Sequence, residues 1–260
     1  MHLLSLAAGV LPEFSPEEIA RAAVESGFKA TGFTVKPEEW TAETTRRVQD
    51  ILRGTGVEVL DVEPVWIGAD GKINDGHRLI LDVGAALEAK NALIVSSCTD
   101  EALNRRAFEE LAVYSERCGL RACLEFLRIT AIQKLSQALA IVEDVGHPAG
   151  GVLVDSIHLA RCGEFNLLQR VDPKRMPYTQ FCDGRATCAE DYQSLLADAV
   201  DERMLAGEGA LPLRESLKIF KSDIPLALEV RSKALRDQYP DPVARARRVL
   251  ENAKCYLGYR

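Results

Sequence analysis

Short apolar runs alternate with longer amphipathic stretches along the whole chain, and one phrase returns eight times: an apolar run, a polar loop, a helical stretch, then the next run. The runs are Leu3–Ala7, Ala30–Val35, Val57–Val65, Ala92–Ser96, Arg121–Phe126, Gly151–Asp155, Tyr178–Cys182 and Leu226–Val230. Short, nearly continuous apolar runs of this kind predict parallel strands covered on both faces. Helix punctuation falls between them. Ser15-Pro16-Glu17-Glu18 reads as a capping box with Pro at the first helical position, and Gly27 stands where that helix should stop. Thr41, Thr99 and Thr130 are expected to cap the second, fourth and fifth helices, and Gly54, Gly119 and Gly146 to end them. From about Pro242, the residues Val243, Ala246, Val249, Leu250 and Ala253 form the apolar stripe of a last helix.

Strand–helix alternation implies a parallel sheet with right-handed crossovers. Eight units favour closure over an open doubly wound sheet. The first turn, Ala8-Gly9-Val10-Leu11-Pro12, also lacks the glycine-rich dinucleotide fingerprint of the open form. The expectation is an α/β fold, a (β/α)8 TIM barrel, as a single domain over residues 1–260. One stretch breaks the rhythm: Asp183 to Gly209, between strand seven and its helix, reads as a long functional loop of the kind that often forms a lid.

Composition narrows the functional classes. Hydrophobic residues make up 47% of the 260 and charged residues 27%, enough for a large core without disulfides. A net charge of −7 carries no basic footprint for nucleic acid. The sequence has no apolar run long enough for a membrane span, and no Lys or Arg precedes Arg21, against the basic start of a signal peptide. Seven cysteines without a Cys-x-x-Cys pair read as free thiols in a reducing, cytoplasmic setting. These features leave room for a homo-oligomer.

Barrel enzymes carry their chemistry at the C-terminal strand ends. There the sequence places Glu125, Asp155, Gln180 and Glu229, one on each of strands five to eight and each in apolar surroundings. Neighbouring strands are about 4.8 Å apart, so inward side chains from four of them can meet. Three converging carboxylates repel one another unless a cation or protons intervene. One hard divalent ion, Mg2+ or Mn2+, resolves the conflict through oxygen ligands. Any one of these residues alone would be read as a polar strand end paired to a loop. Four on consecutive strands favour a shared site, because burying unpaired carboxylates costs several kcal/mol. His158, three residues after Asp155, can fold back over that site as an acid–base or orienting group. Glu63 can line the pocket from the end of strand three; Trp66 either walls it or is buried in the core. His77 is expected at a solvated helix start, Asp183 as a ligand or a lid anchor, and Glu208 as a shaper of the long loop. Arg128, Arg185 and Arg231 emerge just beyond the proposed ligands. Arg231, two residues after Glu229, shares its strand face and is the strongest candidate to grip an anionic group, with Arg185 from the loop as a second.

The Glu125, Asp155-x-x-His158 and Glu229 pattern resembles the xylose isomerase-like barrel superfamily, which also contains endonuclease IV. The segments Leu-Asp-Val-Gly-Ala-Ala-Leu-Glu-Ala (81–89) and Gly-Glu-Gly-Ala-Leu-Pro-Leu (207–213) are similar to phrases of that group. The resemblance covers essentially the whole chain. It implies a metal-dependent isomerase or epimerase acting on a small carbonyl substrate, a keto-sugar or sugar phosphate. Glu125 and Glu229, each both ligand and base, would flank the carbon that loses and regains a proton through an enediolate. Epimerases of the group usually carry a metal-binding His on strand seven; Gln180 stands there instead and resembles the dehydroshikimate dehydratase branch. That resemblance keeps open a lyase using the same enolate chemistry. Abasic-site endonucleases of the same fold need a His-rich three-metal cluster, whereas this chain has four His and an acidic balance.

Overall fold

The computed structural model describes residues 1–259; the last residue of the expected 1–260 domain, Arg260, lies outside the described residues. The strands are β1 (Leu4–Leu6), β2 (Ala30–Thr34), β3 (Glu58–Ile67), β4 (Asn91–Ser96), β5 (Arg121–Glu125), β6 (Gly150–Asp155), β7 (Thr179–Gln180) and β8 (Leu226–Leu228). They close into a barrel in sequence order, with β1 pairing in parallel to both β2 and β8. Each expected run contributes one strand. Helices α1 (Pro16–Ser26), α2 (Ala42–Leu52), α3 (Asp75–Ala86), α4 (Glu101–Arg117), α5 (Leu135–Val145) and α6 (Ser156–Cys162) follow the first six strands. The remainder are α7 (Tyr192–Val200), α8 (Leu213–Ile219), α9 (Lys233–Gln238) and α10 (Pro242–Leu257).

The core has two layers. One buried cluster takes Leu60, Leu93, Cys123, Leu153, Tyr178 and Ala227 from successive strands, which fills the inside of the barrel. A larger cluster joins the outward strand faces to the helices, including Val62, Leu124, Ala246 and Leu250. The first capping box forms as the sequence implies, with Gly27 left-handed at φ 89. Thr41 caps α2. Two caps differ. Asp100 rather than Thr99 caps α4, because a carboxylate accepts the Leu103 N–H one residue further on. Lys134 precedes α5, while the Thr130 hydroxyl donates to the carbonyls of Leu127 and Ile132 and closes a turn.

The stretch from Asp183 to Gly209 is not an open lid. It contains α7, and both of its ends are fastened by one carboxylate. Asp183 accepts from the backbone N–H groups of Gly184 at 2.9 Å, Gly207 at 2.9 Å and Leu211 at 3.0 Å, and its backbone bridges to Met204. A Cβ on Gly209 would sit 2.4 Å from an Asp183 carboxylate oxygen, so the close approach requires glycine. Asp183 is therefore an anchor, and Glu208 pairs with Arg248 at 2.9 Å.

α10 is tied to the start of the barrel by a buried arginine. Arg245 donates to the carbonyls of Val10 at 3.1 Å and Tyr239 at 2.9 Å and pairs with Glu13 at 2.6 Å. Arg245→Met should destabilise the fold by about 2–4 kcal/mol, since each acceptor left without a partner costs about 1–3 kcal/mol. Urea unfolding measures it; an unchanged midpoint would mean that the clamp adds nothing.

Candidate functional site

Glu125, Asp155 and Gln180 are the last residues of β5, β6 and β7, and Glu229 follows β8 by one residue. Asp155 is in register with Gln180, while Glu125 is in register with Leu153 and Gln180 with Ala227, so the four residues share one strand face and step by two residues at β5/β6 and at β7/β8. All four side chains are buried: Glu125 is 4% exposed, Asp155 0%, Gln180 3% and Glu229 2%. Glu125, Gln180 and Glu229 border a chamber of about 290 Å3 at the C-terminal face of the barrel, together with Glu63, Trp66, His158, Arg203 and Arg231. Asp155 itself is enclosed behind this lining.

Asp155 has two tasks because it ends a strand and starts a helix. Oδ1 caps α6 by accepting the Ile157 N–H at 2.8 Å, and Oδ2 meets the Arg203 guanidinium at 2.6 Å. The first turn of α6 then brings His158 back over the strand ends. Ligand atoms of Glu125, Asp155 and His158 all lie within 4.8 Å of one another. Arg203 also donates to the carbonyl of Glu229 at 3.1 Å and lies 3.4 Å from His158 Nε2.

Arg203 was not among the sequence candidates. It comes from the segment pinned by Asp183, where a single arginine between Glu202 and Met204 carries no strand-end signal. Asp61 was missed too, although it stands two residues before Glu63 on β3 and the period-2 rule places both on one face. It is buried, and its Oδ1 has no hydrogen-bond partner among the described residues.

So many buried acids perturb one another. Burial first, then Asp155, holds the Glu125 carboxyl well above the ordinary carboxylate range. Burial and Glu63 push Glu229 up to about 7. Burial pushes the His158 imidazole down to about 4, the neutral form in which it can ligate or accept a proton. The residues fit a divalent cation. As placed, the Gln180 side-chain oxygen faces Glu125 Oε1 and Asp155 Oδ2; turned over, its nitrogen would donate to them at 3.1 and 3.0 Å. Oxygens face oxygens without penalty when a cation lies among them. Glu229 Oε2 is likewise buried without a partner among the described residues.

The other candidates divide. Glu63 is buried at the chamber and accepts from the Thr34 hydroxyl at 3.3 Å. Trp66 is 44% exposed and walls the chamber, its indole N–H donating to the Ser97 hydroxyl at 2.7 Å. Arg231 lines the chamber, 3.9 Å from Glu229. Arg185 does not reach it: the guanidinium is drawn outward to Glu202 at 3.1 Å and is 61% exposed. Arg128 donates to the Arg161 carbonyl at 3.1 Å. His77 is buried rather than solvated. It completes a capping box with Asn74, and Nε2 lies 2.9 Å from the Trp66 carbonyl, so it braces the wall that carries the tryptophan.

A model of the family described as xylose isomerase-like TIM barrel matches residues 20–253. No curated protein sequence matches the chain. Among solved structures, the chain is similar to an IOLI protein with a bound zinc atom: TM-score 0.81, 15% identity, 99% of each chain covered. It is similar to a D-allulose 3-epimerase from Methylomonas sp. in complex with D-allulose: TM-score 0.71, 14% identity, 98% of this chain and 97% of that one. It is also similar to AsbF from Bacillus anthracis, a probable 3-DHS dehydratase: TM-score 0.70, 15% identity, 96% and 99%. One further neighbour is a longer fusion protein joining a xylose isomerase-like TIM barrel to a 4-hydroxyphenylpyruvate dioxygenase, of whose length this chain spans 42%. At these identities the structural likeness establishes the fold alone.

Proposed function

From the premise that the chain belongs to the xylose isomerase-like TIM barrel family, we propose that it is a divalent-metal-dependent isomerase or epimerase of a small keto-sugar or sugar phosphate. The observation that carries the reading is the pair of buried glutamates, Glu125 and Glu229, on strands three positions apart round the ring and facing one chamber. A proton can leave a carbon held between them on one side and return on the other. Glu125, Asp155, Gln180 and Glu229 would hold the ion, with the His158 nitrogen beside them. When bound, a divalent ion supplies Lewis-acid polarisation of a carbonyl. The protein's own groups do the rest. Arg203 keeps Asp155 in place, His158 orients or protonates a substrate oxygen, and Glu63 and Trp66 shape the wall. Arg231 forks onto an anionic group of the substrate. Oxygen ligands suit Mg2+ or Mn2+; a histidine nitrogen within reach also suits Zn2+.

A second reading is a hydro-lyase of the same chemistry, expelling a β-hydroxyl after the same proton abstraction. It is favoured by Gln180, which stands where the epimerases of the group usually carry His.

Calorimetry with Mg2+, Mn2+ and Zn2+ on the wild type and on Glu125→Gln tests the shared premise. The wild type should bind one ion and the variant should bind it much more weakly, and chelation should lower the thermal midpoint by linkage. Equal binding by both proteins, or none by the wild type, would sink the idea. Product analysis then separates the two reactions, because a dehydratase creates an ultraviolet-absorbing conjugated carbonyl and an epimerase creates none.

A further inference from the structure

Beside the acidic chamber lies a second hollow of about 470 Å3, between the loop after β1 and the loop after β2. Thr34 and Arg231 line both spaces and form the doorway between them. Its walls include Leu11, Phe14, Ile19 and Trp40, the last stacked edge-on to Phe33 with its indole N–H held by Thr45 at 2.9 Å. The chamber alone, at about 290 Å3, falls just below the roughly 300–1,000 Å3 range of small-molecule sites. A free sugar would leave the annex unused.

The charges on the annex separate in an informative way. Each acid on its rim has a cation within reach: Glu13 meets Arg245 at 2.6 Å, Glu39 meets Lys36 at 3.1 Å, and Glu17 lies 3.8 Å from Arg47, which it shares with Glu43 at 3.0 Å. Arg231, at the doorway, has among the described residues one carboxylate partner, 3.9 Å away, and is one-third exposed. Its stem lies against the chain at Gly9, where an added Cβ would come 2.7 Å from Arg231 Cγ. The glycine lets the arginine lie across the sill with its head free. The annex therefore offers an apolar patch of Leu11, Phe14, Ile19 and Trp40 inside a rim whose acids face cations, entered past a guanidinium short of a partner.

We propose that the annex is a subsite for an apolar substituent of the substrate, and that the substrate is a two-part anion. Its enolisable head enters the acidic chamber, its carboxylate or phosphate rests on Arg231, and an alkyl- or aryl-sized tail lies against Phe14 and Trp40. The head's role rests on the proposed function; the tail's does not. This arrangement selects against free hexoses, which cannot fill apolar walls, and in favour of acids whose chain continues past the charged group.

The chain has two tryptophans, Trp40 in the annex and Trp66 in the chamber, so a Trp66→Phe background makes fluorescence report the annex alone. The probe is 3-phenylpropionate, added to chelator-treated protein. It should change Trp40 emission saturably, and phenylethanol, which lacks the charge, should bind at least tenfold more weakly. Arg231→Met should remove that preference. Thr44→Phe, which fills the annex from α2 at the cost of a contact between the Thr44 and Thr41 hydroxyls while the Thr44 backbone N–H still donates to Thr41, should abolish the response to both compounds. No saturable change at millimolar probe, or equal binding by the Thr44→Phe variant, overturns the annex while leaving metal calorimetry to judge the proposed function. Probe binding without metal uptake by the wild type would do the reverse.

Discussion

Glu229→Gln should lower turnover by about 10²–10⁴-fold, the contribution of a positioned general acid or base. The substitution is close to isosteric, so Gly9 still packs against the side chain: a Cβ there would clash with Glu229 Oε1, which leaves no room for anything bulkier. What changes is the ability to hold and release a proton. Glu229 is buried beside Glu63 and near Asp61, so a neutral amide also relieves like-charge repulsion. Stability should therefore hold or rise while turnover collapses, the opposite of what loss of a structural contact produces. Wash-in of solvent deuterium at the substrate carbon next to the carbonyl is the direct readout. Exchange at the wild-type rate in the variant would remove Glu229 from the chemistry.

Arg203→Met should cost about 3–5 kcal/mol in metal-free protein, the usual penalty for leaving one partner of a buried ion pair alone. Arg203 is 4% exposed and Asp155 0%, so water cannot take over the lost partner. The substitution also strips the Glu229 carbonyl of a donor. A divalent ion among Glu125, Asp155 and Gln180 would resupply positive charge next to the abandoned carboxylate. Urea unfolding of the variant should therefore show a larger gain on adding Mn2+ or Zn2+ than the wild type shows. A loss below about 1 kcal/mol, typical of a surface pair, would mean that the Asp155–Arg203 contact is not what holds the strand end.

The barrel was legible because its signals are local and repeated. Parallel strands covered on both faces must be apolar throughout, so all eight could be read from short runs, and the Ser15 box and Gly27 mark α1 by side-chain chemistry within a few residues. The acids at the strand ends were legible for a related reason: Glu125, Asp155 and Glu229 interrupt sequence that is otherwise core. What escaped depends on distant partners. Arg203 meets Asp155 across 48 positions, and nothing near either residue announces the other. Asp183 reads in the sequence as either a ligand or an anchor, and only the N–H groups of Gly184, Gly207 and Leu211, the last two distant in sequence, decide for the anchor. Trp66 had two plausible fates on the sequence alone. β3 runs on to Ile67, beyond the expected Val65, and this extension sets the indole at the rim, held by Ser97. The Thr99 and Thr130 caps failed because Asp and Lys nearby sit at the register that the helices actually adopt.

The single carboxylate that fastens the segment after β7 turns it into a cassette. Its two ends are already held together at Asp183, so a replacement of different length between residues 184 and 206 closes a loop whose endpoints the barrel has fixed, and each doubling of length adds about 0.6 kcal/mol of closure entropy. The cassette also carries Arg203, which pairs with Asp155 and donates to the carbonyl of Glu229. An insert that kept Arg203 would leave Asp155 its partner while exchanging Leu196, Ala199 and Val200, which line the chamber, so a common set of acids on a common scaffold can be redirected to new substrates by changing one insert.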